Sequence, residues 1–158
     1  MLTIQESYQK LIKSKEFKKN GSLCSLFFTS DIDDIEKSSW QIDFYNKESD
    51  TITSYVVNKN IEVNQDSEIF KEEATKIEDF KIEDVKIDFR EALKTAEDLL
   101  KKNKEEATKI IVMLQKQNNI SWNISFITKI FNIINIRIDA VNGKILEEKK
   151  IPLLEFKK

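Results

Sequence analysis

The densest cluster of potential ligands is Asp31-Ile32-Asp33-Asp34-Ile35-Glu36, four carboxylates in six residues. Oxygen ligands at that density suit a hard cation such as Ca²⁺ or Mg²⁺. The run has no glycine for a tight loop and no later acid in EF-hand register, so the balance favours a solvated acidic loop ahead of Trp40. Cys24, in Leu23-Cys24-Ser25-Leu26-Phe27-Phe28, is the one thiol. A thiol nucleophile needs an activating base, and the chain has no histidine. Cys24 therefore reads as a small buried apolar residue. The same lack removes His-based triads and His-ligated zinc. Among 28 acidic residues, neighbouring carboxylates are inevitable; acid/base catalysis needs one of them buried with a raised pKa, and no position stands out. Two glycines cannot build a phosphate-cradling loop. The expectation is no catalytic residue, no metal and no cofactor.

Composition narrows the partners. The 158 residues allow one domain or two small ones, and a chain of this length buries roughly 70 % of its unfolded surface. With 26 basic and 28 acidic residues the net charge is -2, which removes the basic excess that nucleic acid demands. No apolar run approaches the length of about 20 residues that a membrane helix needs. The opening MLTIQESYQKLIKSKEFKK is amphipathic and charged, and a cytoplasmic location is expected.

The elements that would position these groups are written twice. Ser39-Trp40-Gln41-Ile42-Asp43-Phe44 and Ser121-Trp122-Asn123-Ile124-Ser125-Phe126 share the pattern S-W-x-I-x-F, 82 residues apart. Upstream of each lies a helix-start signature, Thr3-x-x-Glu6 and Asp88-x-x-Glu91. The first helix carries Tyr8, Leu11, Ile12 and Phe17 on one face, with Gly21 as its stop. The second carries Phe89, Ala92, Leu93, Ala96, Leu99 and Leu100. After each helix the period switches to two, as in Ile120, Trp122, Ile124, Phe126 and in Ile134, Ile136, Ile138. That alternation predicts half-buried antiparallel strands. Strands are expected near Ser22–Thr29, Ser39–Tyr45, Thr51–Val57 and Asn60–Asn64, and again near Ala107–Lys116, Ile120–Phe126, Ile134–Ile138 and Lys144–Ile151. Asn142-Gly143 makes a turn between strands, with Asp139 bonding its amides. The fold class expected is α+β, two halves each with a helix packed on an antiparallel β-meander. The organisation is 1–65, an acidic connector 66–87, and 88–158, forming one compact unit. In the connector, Asp66 or Ser67 would cap a short helix carrying Ile69, Phe70, Ala74 and Ile77, and the echo KIEDF-KIEDV-KID would lay its apolar side chains on the sheets.

Asn135-Ile136-Arg137-Ile138-Asp139-Ala140-Val141-Asn142-Gly143-Lys144-Ile145-Leu146 resembles the signature of PepSY domains, a strand ending in Asp-Ala, a short Asn-Gly turn and a following strand. The W-x-I-x-F strand and the helix from Asp88 to Lys102 are similar to that family too. The resemblance covers Val85 to Pro152. It reaches the first half only through the repeat, because Tyr55-Val56-Val57-Asn58 lacks the Asp-Ala-x-x-Gly turn. It implies a cystatin-like fold in each half, the first a degenerate copy. The family is thought to bind or inhibit peptidases and occurs mostly in exported or membrane proteins.

Two features suggest a working surface. Ile127-Thr128-Lys129-Ile130-Phe131-Asn132-Ile133 is an unusually apolar hairpin connection, and Tyr45 and Tyr55 fall on the polar-facing parity of their strands. Tyr45, Tyr55, Ile130 and Phe131 are thus the candidate partner surface. The competing reading, favoured here for Phe131, is that this segment seals the two halves, so that Phe131→Asp would destabilise. The function expected is a non-enzymatic protein- or peptide-binding module. A carboxylate enzyme with its site between the halves and a structural homodimer subunit are the alternatives.

Overall fold

A computed structural model describes residues 1–68 and 76–154. The chain runs α1 (Ile4–Ile12), β1 (Ser22–Asp31), a 3₁₀ helix (Ile32–Lys37), β2 (Gln41–Asn46), β3 (Thr51–Val57) and β4 (Ile61–Glu68). It continues through a second 3₁₀ helix (Ile82–Asp84), α2 (Phe89–Lys102), β5 (Ala107–Gln117), β6 (Asn119–Thr128), β7 (Asn132–Asp139) and β8 (Ile145–Pro152). The fold is α+β, with all eight strands in one antiparallel sheet of order β4-β3-β2-β1-β5-β6-β7-β8. Consecutive strands are neighbours except at the centre, where β1 pairs with β5 from Ser25↔Gln115 to Asp31↔Lys109.

Both helices start as their caps dictate. Thr3 Oγ1 accepts the Glu6 amide at 3.1 Å, and Asp88 Oδ1 accepts the amides of Arg90 and Glu91. Such side chains satisfy amides that the first helical turn leaves free. α1 buries Ile4, Ser7 and Leu11, while α2 buries Phe89, Ala92 and Ala96 at the same relative spacing, then Leu99 and Leu100. α1 ends at Ile12, earlier than expected. Ser14 Oγ donates to the Leu11 carbonyl at 2.6 Å and accepts the Phe17 amide, so the helix breaks there and Phe17 packs from a loop onto Phe44 and Tyr55. Gly21 is no helix stop. It enters β1 at φ +96°, and a Cβ there would lie 2.3 Å from the Tyr45 carbonyl oxygen.

One apolar cluster lies on the helix side of the sheet. Its centre is aromatic: Trp40 meets Phe28 and Phe89 edge-on, with ring centres 4.9 and 5.5 Å apart, and Trp122 at a tilt, 5.8 Å away. Each indole is buried and held in the same way. Trp40 Nε1 donates to the Leu2 carbonyl at 3.1 Å and Trp122 Nε1 to the Ile87 carbonyl at 2.8 Å, in each case the residue before a helix cap. The connector adds Phe80, Ile82 and Val85 to the core, tied by the Phe80 amide to Leu23 and by the Lys86 and Ile87 amides to Ala140. Asp66 and Ser67 lie in β4, which extends to Glu68, with Ser67 paired to Ile52. Ile69, Phe70 and Ala74 lie outside the described residues.

Candidate binding face

In an antiparallel sheet, paired residues share a face, so the registers define the face turned away from the helices. One row across it runs Glu62, Val56, Gln41, Phe27, Met113, Asn123, Arg137 and Glu147. Ile111, Ile127, Ile133 and Ile151 stand on the same face. These apolar side chains are half-buried, whereas those pointing to the helices are fully buried. The face is also crossed by polar bonds. Asp43 accepts Ser25 Oγ at 2.8 Å and Gln41 Nε2 at 3.0 Å, and Asn135 Nδ2 donates to Asn123 and Ser125.

Charge is divided along the β1–β5 line. Strands β1 to β4 contain no lysine or arginine but carry Asp31, Asp43, Glu62, Asp66 and Glu68. Strands β5 to β8 carry Lys109, Lys116, Arg137, Lys149 and Lys150 together with Asp139, Glu147 and Glu148. The two outer edges differ likewise: β8 has Lys149, Lys150 and Pro152, which discourage strand pairing, and β4 has none of these.

The four candidate surface residues do not come together. Tyr45 is half-buried on the open face, its hydroxyl on Asp50. Tyr55 is the correction: it is 2 % exposed, edge-on to Phe44, with its hydroxyl 3.3 Å from the Lys18 carbonyl. Its partner across the ladder is Ile42, which faces the core, so Tyr55 must face the core as well. Ile130 and Phe131 are 68 % and 64 % exposed at the β6–β7 turn, where Phe131 takes φ +61°. This segment does not seal β1–β4 to β5–β8; the β1–β5 ladder joins them. The expectation that Phe131→Asp destabilises falls with it.

The chemical candidates are structural. In the acidic run, Glu36 meets the Arg90 guanidinium through both oxygens, and Asp31 meets Lys109 at 3.2 Å. The bond from Arg90 holds Glu36 well below the usual carboxylate range, at about 2. No group of residues suited to a metal occurs among the described residues. Cys24 is buried, and burial pushes its thiol up to about 12. Asp139 Oδ1 accepts the amides of Val141 and Asn142 at 2.8 and 3.1 Å, as expected of its turn.

Sequence reasoning missed Glu105, whose side chain is 5 % exposed. It accepts Thr128 Oγ1 at 3.0 Å and Asn132 Nδ2 at 2.6 Å, and pairs with Lys150 at 2.8 Å. Burial pushes this carboxyl up, but the bonds from Lys150, Asn132 and Thr128 outweigh it and hold it low. It locks the α2–β5 loop to three strands. No local pattern flags it, since its partners lie 23 to 45 residues away.

No family model and no curated protein matches the chain. Among solved structures, it is similar to the crystal structure of a candidate lipoprotein from Clostridium difficile 630, with a TM-score of 0.62 at 16 % identity. The match covers 92 % of this chain and 91 % of that one. At that identity the likeness concerns the fold alone. No helix among the described residues is long and apolar enough to cross a membrane.

Proposed function

We propose that this chain is a non-enzymatic binding module, two PepSY-like, cystatin-like helix-on-meander copies whose strands share one sheet. The open face of that sheet is its protein- or peptide-binding surface. The observation that carries this reading is the row of half-buried apolar and amide side chains through Phe27, Met113 and Asn123, on the face away from both helices. Antiparallel sheets present such faces to solvent or to partners. The repeat of cap, helix stripe and Trp anchor supports the tandem reading. The carboxylates with displaced titration, Glu36, Glu105, Glu106 and Glu147, are all held low, the opposite of what a general acid requires. That favours binding over carboxylate catalysis.

For location, the sequence reading proposes the cytoplasm, and the name of the structural neighbour argues for a membrane-anchored setting. Fractionation of cells carrying the tagged native gene product separates the two. The binding reading is tested with short random peptides displayed on phage. Wild-type protein is expected to select extended sequences that Met113→Asp no longer holds. Selection unaffected by Met113→Asp, with the variant folded, sinks the open-face reading.

A further inference from the structure

Two neighbouring hydrogen-bond donors on the open face lack an acceptor. Arg137, on β7, is half-buried, and its Nε is buried with no hydrogen-bond partner among the described residues. The acids nearest to it are already engaged. Glu147 stands directly opposite on β8, but its carboxylate pairs with Lys149 at 2.9 Å. Asp139, two residues along the strand, accepts the Val141 and Asn142 amides of its turn. Of the three basic side chains on the face, Lys109 pairs with Asp31 and Lys149 with Glu147, and Arg137 has no ion pair among the described residues. On its other side Arg137 is paired across the ladder with Asn123 of β6. Asn123 Oδ1 accepts Asn135 Nδ2, which also donates to Ser125, so the Asn123 amide nitrogen is left with no acceptor among the described residues.

A half-buried guanidinium without a partner is costly, and its planar fork of N–H groups matches a carboxylate in two bonds at once. Met113 follows Asn123 in the same row, and Phe27 faces Met113 across the β1–β5 ladder, so an apolar track leads away from the two donors. We propose that Arg137, with Asn123 beside it, holds an acidic side chain of a bound peptide whose adjoining apolar side chains lie on Met113 and Phe27. This rests on the open-face reading above and names the chemistry of its ligand. A carboxylate brings the acceptor oxygens that both donors lack, and it neutralises the one basic group of the face that the fold leaves unpaired among the described residues.

Random peptides displayed on phage and selected on the full chain supply the test. The wild type is expected to enrich sequences with Asp or Glu beside apolar residues. One such peptide, synthesised with an amidated C terminus, and its variant with the acid replaced by the amide are then titrated against the wild type and Arg137→Gln. Removing the acid is expected to weaken binding to the wild type by about tenfold or more. It should leave binding to Arg137→Gln unchanged, because both changes remove the same contact. Arg137→Lys, which keeps the charge without the fork, is expected to recover only part of the affinity. If Arg137→Gln does not fold, Asn123→Ala takes its place in the same cycle. Equal losses in both proteins overturn the proposal, as does binding that needs a free C-terminal carboxylate. Selected peptides that are lost with Met113→Asp but show no preference for acids remove the Arg137 assignment and leave the open-face reading standing. Peptides that a folded Met113→Asp still holds remove both.

Discussion

On the helix side, β1–β4 and β5–β8 are treated alike. Trp40 and Trp122 are both buried, touch each other, and donate to the carbonyl just before a helix cap. α1 and α2 present buried residues at matching spacing, Ile4, Ser7 and Leu11 against Phe89, Ala92 and Ala96. On the open face the likeness ends: among the described residues β1–β4 present no basic residue there, whereas β5–β8 present Lys109, Arg137 and Lys149. Close packing punishes change in the core, whereas half-exposed positions tolerate it. The difference separates what holds the fold from what is free to specialise.

The largest test is of the two tryptophans. Trp40→Ala and Trp122→Ala should each cost about 3–5 kcal/mol in denaturant unfolding. Similar losses would confirm equal places in the core, and a loss under half as large at one site would break the comparison.

The two glycines should differ. At Gly21, alanine must push its methyl into the Tyr45 carbonyl, so Gly21→Ala should cost about 3 kcal/mol or more in unfolding experiments. At Gly143 the nearest atom is a side-chain carbon of Ile87 at 3.5 Å, leaving only the strain of φ +80°. Gly143→Ala should cost about 1 kcal/mol. Equal costs would mean that the Gly21 approach relaxes freely.

Glu105 has no counterpart among the residues that the repeat aligns. Glu105→Gln should lose about 1–2 kcal/mol at neutral pH. Because its folded pKa lies below the ordinary 4.5, the bond stabilises fully above that value and is lost as pH falls through the folded pKa. The variant should therefore lose less stability than the wild type between neutral and acid pH. Parallel pH curves would remove Glu105 from the account.

Ser7 sharpens the helix comparison. Its hydroxyl is buried with no hydrogen-bond partner among the described residues, where α2 has Ala92. Ser7→Ala should raise stability by about 1 kcal/mol; a loss instead would reveal a bonded hydroxyl.

The smallest effect is expected at the β6–β7 turn. Phe131 is mostly exposed, so Phe131→Asp should shift unfolding by less than about 0.5 kcal/mol. A loss of several kcal/mol would restore the idea that this segment seals a junction.

Much of the architecture is local and therefore legible in the residues. Capping at Thr3 and Asp88, the stripe of α2, the period-two strands around Trp122 and the Asp139 turn all depend on neighbours a few positions away. The end of α1 and the role of Gly21 escape the sequence, because a side-chain bond to the Leu11 carbonyl decides the first and a backbone contact with Tyr45 the second. Tyr55 shows the limit of parity. A strand has two faces of opposite parity, but only its partner strand says which is inside, and that partner is fixed by the ladder to Ile42. The same holds for the candidate face. Alternation in the sequence announces that each strand has a second side, while the β1–β5 ladder joins those sides into one surface. Glu105 and its three donors complete the point: residues far apart in the chain become a buried site only when the sheet brings them together, and that assembly is a property of the tertiary structure.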